Sequence, residues 1–220
     1  MFERQILHLV LLVALVTGVG WLSRLPTVSS GSYLGVSTSV WLWWSITVPV
    51  VHQLWVWLCW RLELHYRWLS RYLGSLAFGL YGLGFVLAAF FRGYTLIGLG
   101  LANRGSLHLP TSLLQGTAVL LTVPAMYLFY SVARYFTFTR ALGADHFEAS
   151  YRDAPLETRG IFKYTRNGMY IFGFMVVWLP GLLLASQAAL LSAAFSHIYI
   201  WVHYYCTELP DMKQIYTRSI

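Results

Sequence analysis

The sequence predicts an all-α fold, a polytopic membrane bundle of about six spans with both termini in the cytoplasm. Three observations predict it. The first is composition: of 220 residues, 58% are hydrophobic and 10% charged, where a soluble domain runs at roughly 45–50% and about 25%. Mean hydropathy is +0.59. One small core cannot hide that much apolar surface from water, and a disordered chain needs the opposite composition. The second is a set of charge-free runs at 5–23, 25–60, 72–91, 105–133 and 167–207, to be compared with the roughly 20 residues a spanning helix needs. The third is where the basic residues fall.

Taken in order, the run 5–23 is longer than the 7–15 residues or so of a signal-peptide core, and no small-x-small cleavage site follows it. It reads as a retained anchor. An outer connector at about 24–37, rich in Ser and Gly and holding Pro26, leads to a span at 38–60. The third span, 73–91, carries Gly74, Gly79, Gly82 and Gly84, small residues that suit close helix packing. A second outer connector at about 92–111 includes Gly98 and Gly100, half of a nucleotide fingerprint without the strand that would give it meaning. The fourth span is 112–134. The last run is twice the needed length and must fold as a hairpin, 168–185 and 187–206, with Pro180-Gly181 as a bend. Residues 1–133 thus form four spans, and residues 134–220 a charged connector, a hairpin and a tail.

With that topology, twelve of the fifteen Lys and Arg residues lie inside and only Arg24, Arg92 and Arg104 outside, while all eight acids lie inside. This is a positive-inside bias. The net charge of +7 therefore reports membrane orientation and affinity for anionic headgroups, and no nucleic-acid partner is expected. Cys59 and Cys206 fall at inner ends of spans, where thiols stay reduced, and offer neither a disulfide nor a zinc site.

Three clusters could carry chemistry. Gly160-Ile-Phe-Lys-Tyr-Thr-Arg-Asn-Gly-Met-Tyr170 reads first as a helix start, with Arg166 against lipid phosphate and Asn167 as cap. His197, His203, Tyr204, Tyr205, Thr207 and Glu208 end the last span. Tyrosines there form an ordinary interfacial belt, but an acid beside a long charge-free run is a functional candidate. His146, Glu148, Asp153 and Glu157 lack zinc-deaminase spacing, show no two-His metal motif, and read as a solvated charged loop. A hairpin over 168–206 returns the first two clusters to one face, bringing Arg166, Asn167 and Tyr170 near His203, Tyr204 and Glu208.

Arg166-Asn-Gly-Met-Tyr170, the charge-free hairpin and Thr207-Glu-Leu-Pro-Asp-Met-Lys-Gln-Ile-Tyr216 resemble the C-terminal signature of the integral-membrane methyltransferases, over about residues 134–220. That superfamily includes phosphatidylethanolamine N-methyltransferases and isoprenylcysteine carboxyl methyltransferases, and the tail looks closer to the phospholipid branch. Gly168 stands where the family has proline, and Thr207 where many members have a first glutamate.

The resemblance implies S-adenosylmethionine bound at the cytosolic face without a Rossmann fold. Glu208 would hold its polar atoms, Arg166, Asn167 and Tyr170 would line its adenosine and amino-acid ends, and His203 and Tyr204 would close the pocket. The acceptor would enter from the bilayer. An amine acceptor needs a base, drawn from His146, His203 or Glu157, or else desolvation. A carboxylate acceptor needs an arginine clamp, for which Arg152 and Arg159 are the candidates, with Tyr164 beside them. The expected function is methylation of a membrane lipid, a phospholipid amine first and a prenylcysteine carboxylate or small thiol second. A non-catalytic scaffold is the alternative of another class. A transporter would show internal repeats and mid-membrane polar groups, and spans one, three and four have almost none. Oligomeric state is not legible.

Overall fold

The computed structural model describes residues 1–151 and 155–216. Among the described residues four segments are long and apolar enough to cross a membrane: Gln5–Leu22, Thr38–Tyr66, Trp68–Ala102 and Thr111–Phe136. We label the helices α1 (Gln5–Leu22), α2 (Thr38–Tyr66), α3 (Ala77–Ala102), α4 (Thr111–Ser131), α5 (the apolar arm Gly168–Leu183), α6 (Gln187–His203) and α7 (Leu209–Ile215). Arm α5 is partly wound as a 3₁₀ helix over Gly173–Trp178, and α6 has 17 residues. Among the described residues the only strands are a two-residue pair, Ser32–Tyr33 and Val36–Ser37.

The outer faces of these helices are greasy. Ile6 is 82% exposed, Leu120 73% and Trp21 70%; in water that surface would drive aggregation, and against hydrocarbon it costs nothing. The chain is an integral membrane protein. Between helices the hydrophobic effect is then weak, and close packing holds the bundle. Helix α6 sits at its centre: Phe195 and Tyr199 pack with Trp41 and Leu42 of α2 and Leu96 and Leu99 of α3.

One end of the bundle is closed by Asn103. Its amide donates to the carbonyls of Thr27 (3.0 Å) and Ser30 (3.1 Å), and its oxygen accepts from the Ala188 amide (2.9 Å) and the Ser186 hydroxyl (3.2 Å). Gly31 (φ +102°) fits this corner because a Cβ there would lie 2.1 Å from the Ala102 carbonyl oxygen. The turn of the last hairpin is tied to the same end, Gly105 and Leu107 donating to the carbonyls of Leu184 (3.0 Å) and Ala185 (2.8 Å). At the opposite end Arg4 donates to the Tyr205 carbonyl (3.0 Å) and Gln5 to that of Cys206 (3.0 Å). The N-terminal residues, the connector and the start and finish of the last hairpin therefore share one end.

The structure corrects several local expectations. Helix α3 runs on to Ala102, so Arg92 belongs to a helix and not to a connector. Its guanidinium lies 4.9 Å over the Phe174 ring, which lets the helix continue past a charge. Gly74, Gly79 and Gly82 meet nothing; the close approaches are at Gly84 against Trp55 and Gly98 against Trp41, where a Cβ would fall 2.7 and 2.5 Å from the indole. The hairpin reverses at Leu184 to Ser186, with Ala185 at φ +50° and the Ser186 hydroxyl accepting from the Ala189 amide at 3.1 Å. Pro180-Gly181 lies inside α5, and Gly181 makes room for Leu190 of α6. Asn167 stands before α5, but its side chain makes no cap hydrogen bond.

Candidate functional site

Two long helices lose their regular winding at the same end. After α4 comes a π-helical turn, Val132–Phe136, and after α6 another, Tyr204–Glu208. Such turns rotate side chains out of the α register and recur at functional sites. The second swings Glu208 toward the start of α5, where the Tyr170 hydroxyl donates a hydrogen bond to its carboxyl group. The Tyr170 ring also packs on Tyr204, with centroids 5.0 Å apart. The hairpin does bring the two clusters together.

Tyr170 and Glu208 form the wall between two cavities. The smaller, about 170 Å³, opens among Arg140, Asp145, Glu157, Arg166, Asn167 and Tyr204. The larger, about 480 Å³, runs into the bundle between α2, α3, α4 and the hairpin; beyond Tyr170 and Glu208 nearly all its lining is apolar, with His52, Gln53, Arg92 and His203 as further exceptions. Trp60, Ala141 and Met169 also face both spaces. Burial, with the Asp145 carboxylate nearby, pushes the Glu208 carboxyl up to about 8, so at neutral pH it is mostly protonated.

Behind the smaller cavity lies a buried charge network that spacing did not reveal. Arg61 of α2 meets Asp211 of α7 at 2.7 Å, both almost fully buried, and donates to the carbonyls of Thr207 (3.2 Å) and Met1 (3.1 Å). His146 stacks on Trp60 with centroids 4.1 Å apart. Its Nδ1 lies 3.0 Å from Asp145, and its Nε2 lies 3.6 Å from Asp211, an ion-pair rather than a hydrogen-bond distance. Tyr216 donates to Asp145 at 3.0 Å and accepts from Arg140 at 3.1 Å. The stretch read as a solvated loop is thus, at Asp145 and His146, part of the packed interior. The reason is tertiary: Asp211, Tyr216 and Trp60, which meet these two residues, are 65 to 86 residues away along the chain.

Burial alone would lower the His146 pKa, but the carboxylates of Asp145 and Asp211 outweigh it and raise it to about 9 from an ordinary 6.5. Burial alone would raise that of Asp145, and the hydrogen bonds from His146 and Tyr216 hold it below its usual value. A raised histidine pKa adds stability that is complete below about pH 6.5 and is lost as pH rises through about 9. The detergent-solubilised protein is therefore expected to melt at lower temperature as pH rises across that interval. His146→Gln should melt lower than wild type at pH 6.5 and show a shallower slope, what remains below about pH 8 coming from the raised Glu208 carboxyl; parallel curves would refute the assignment.

The remaining expected residues separate. Glu157 lines the smaller cavity, but Arg159 binds both its oxygens (2.9 and 2.8 Å) and the amides of Thr158 and Arg159 add to one of them. Chiefly through the Arg159 hydrogen bond, its pKa falls to about 2. That makes it a poor base. Arg159 is spent on this pair and on the Tyr135 ring (5.2 Å) and lines neither cavity. Tyr164 is exposed and also lines neither. Arg152 lies outside the described residues. His203 is buried and faces the larger cavity rather than the smaller, with no hydrogen-bond partner on either ring nitrogen among the described residues. Arg140, Trp60 and Arg92 were missed by sequence reasoning, and only the rarity of a charge inside an apolar run pointed toward Arg92.

Residues 114–219 match the family model of the phospholipid methyltransferases. The resemblance carried by the Arg166–Tyr170 and Thr207–Tyr216 motifs holds over that segment, which covers just under half of the chain and begins within α4. No curated protein and no solved structure gave a significant match.

Proposed function

We propose that the chain is an S-adenosylmethionine-dependent membrane methyltransferase whose acceptor is a lipid amine of the phosphatidylethanolamine type. The observation that carries this reading is the pair of cavities, one polar and one apolar, meeting at Tyr170 and Glu208. The family match over 114–219 supports the reaction class. In this reading all six apolar segments cross the bilayer, and the end holding Arg61, the connector and α7 is cytosolic.

The donor set of the smaller cavity suits the cofactor. Arg140 and Arg166 match a carboxylate, Glu208 matches the cationic groups, and Phe136, Phe162 and Tyr204 offer rings to a purine. Bound there, S-adenosylmethionine supplies an electrophilic methyl group, so the protein chiefly has to orient the acceptor and exclude water. The aromatic wall of Trp60, Tyr170 and Tyr204 keeps water from the junction.

An amine acceptor must shed a proton before it can attack. Of the three bases expected, His146 is held protonated between two carboxylates and Glu157 is locked to Arg159. Of the three, His203 alone has both ring nitrogens without a partner among the described residues and faces the acceptor cavity, and desolvation of the ammonium in that apolar space aids loss of the proton. Of the two arginines expected to clamp a carboxylate acceptor, Arg159 lines neither cavity and Arg152 lies outside the described residues.

Purified protein incubated with radiolabelled S-adenosylmethionine and total membrane lipid is expected to label an aminophospholipid, read by chromatography of the extract. Label in a prenylcysteine ester or a volatile thioether would instead select the second acceptor class. No label, together with no binding of S-adenosylhomocysteine, would leave a membrane scaffold.

A further inference from the structure

The larger cavity holds polar groups that an acyl-chain tunnel does not need. Among the described residues His52 has no hydrogen-bond partner on either ring nitrogen, and Nε and Nη2 of Arg92 have none. Both residues, with the buried Gln53, line the same space. Among the described residues no carboxylate pairs with Arg92; its guanidinium lies over the Phe174 face. Buried polar atoms are nearly always satisfied, and a charge inside a membrane bundle marks a ligand or ion path. These three residues also precede the segment that matches the family model, so the family pattern does not account for them.

Position narrows the ligand. Phe174 follows Tyr170 by four residues, the chain passing from α-helix, which ends at Ile171, to a 3₁₀ helix that starts at Gly173; at about 1.5–2 Å per residue this sets the ring beneath the guanidinium roughly 6–8 Å along the arm from the Tyr170–Glu208 wall. An acidic group held there and an atom methylated at the wall are then neighbours within one headgroup. They are not opposite ends of a long molecule. The apolar remainder of the cavity, formed by residues such as Leu96, Ile97, Val177 and Pro180, suits a hydrocarbon chain.

We propose that Arg92, assisted by His52, is an oxyanion site that selects acceptors bearing a phosphate-type group a few bonds from the methylated atom, on a lipid chain. As an account of acceptor choice this rests on the methyltransferase reading. The test is made on binding alone. The full chain in neutral detergent is titrated calorimetrically with lauryl phosphate, lauryl alcohol and inorganic phosphate. Lauryl phosphate is expected to bind at least tenfold more tightly than the alcohol, and inorganic phosphate not to compete at equal concentration. Arg92→Met should bring the phosphate-to-alcohol ratio below threefold, and Arg92→Lys should preserve it. Equal affinity of wild type for the two amphiphiles, a ratio that survives Arg92→Met, or competition by free phosphate would each overturn the proposal. If Arg92→Met does not fold, the wild-type ratio and the lysine variant still decide. S-adenosylhomocysteine binding to wild type, measured in parallel, reads the enzyme hypothesis separately: either result can fail while the other stands.

Discussion

Glu208→Gln is expected to weaken S-adenosylhomocysteine binding at least tenfold, about 1.4 kcal/mol or more. The amide keeps the shape and loses the charge that a cationic ligand needs. The pH dependence should identify the group. Because the Glu208 carboxyl titrates near 8, a ligand that requires the carboxylate must displace a proton at lower pH. Wild-type affinity should rise by up to about tenfold per unit between roughly pH 6 and 8 and then level off, while the glutamine variant stays flat over that range. The opposite slope, or an unchanged affinity in the variant, would remove Glu208 from the cofactor site. Calorimetry across the pH series measures both.

Asp211→Ala is expected to destabilise the fold by about 3–5 kcal/mol, because it strands the buried Arg61 guanidinium in a low-dielectric interior. The geometry leaves little escape: Arg61 is 1% exposed, and its remaining bonds go to the Thr207 and Met1 carbonyls. Denaturation in mixed micelles would show it as an earlier midpoint. The double variant Arg61→Met, Asp211→Leu should recover part of the loss, since an apolar pair of similar volume often replaces a buried ion pair without penalty. Were the single and double variants equally damaged, the charge pair would not be the source of the effect.

Much of the fold was legible because charge-free length is a strong constraint in hydrocarbon. The spans expected at 5–23 and 112–134 became α1 and α4 nearly as drawn, and the 41-residue run became a hairpin. The meeting of Tyr170 with Glu208 followed from that hairpin alone. The rule that found the spans also misplaced Arg92, because it ends a span at any charge and has no knowledge of a cavity or an aromatic ring that receives one. Asp145 and His146 were misread for a different reason. Their partners, Arg61 through Asp211 and Tyr216 on α7 and just beyond it, are brought together only by the closed bundle, and local spacing holds no trace of them. The three bases named from sequence were told apart only by their partners, which are tertiary facts.

The Arg61–Asp211 bond also bears on how the molecule can be divided. The stretch that carries the methyltransferase pattern begins in α4, yet Trp60, Arg61 and Gln5, which floor its polar chamber and fasten its tail, come from the opposite half. Cutting ahead of α4 would strip a counter-ion from Asp211, a stacking face from His146 and a strut from Cys206 in one step. What looks separable along the chain is, in space, a single interlocked piece.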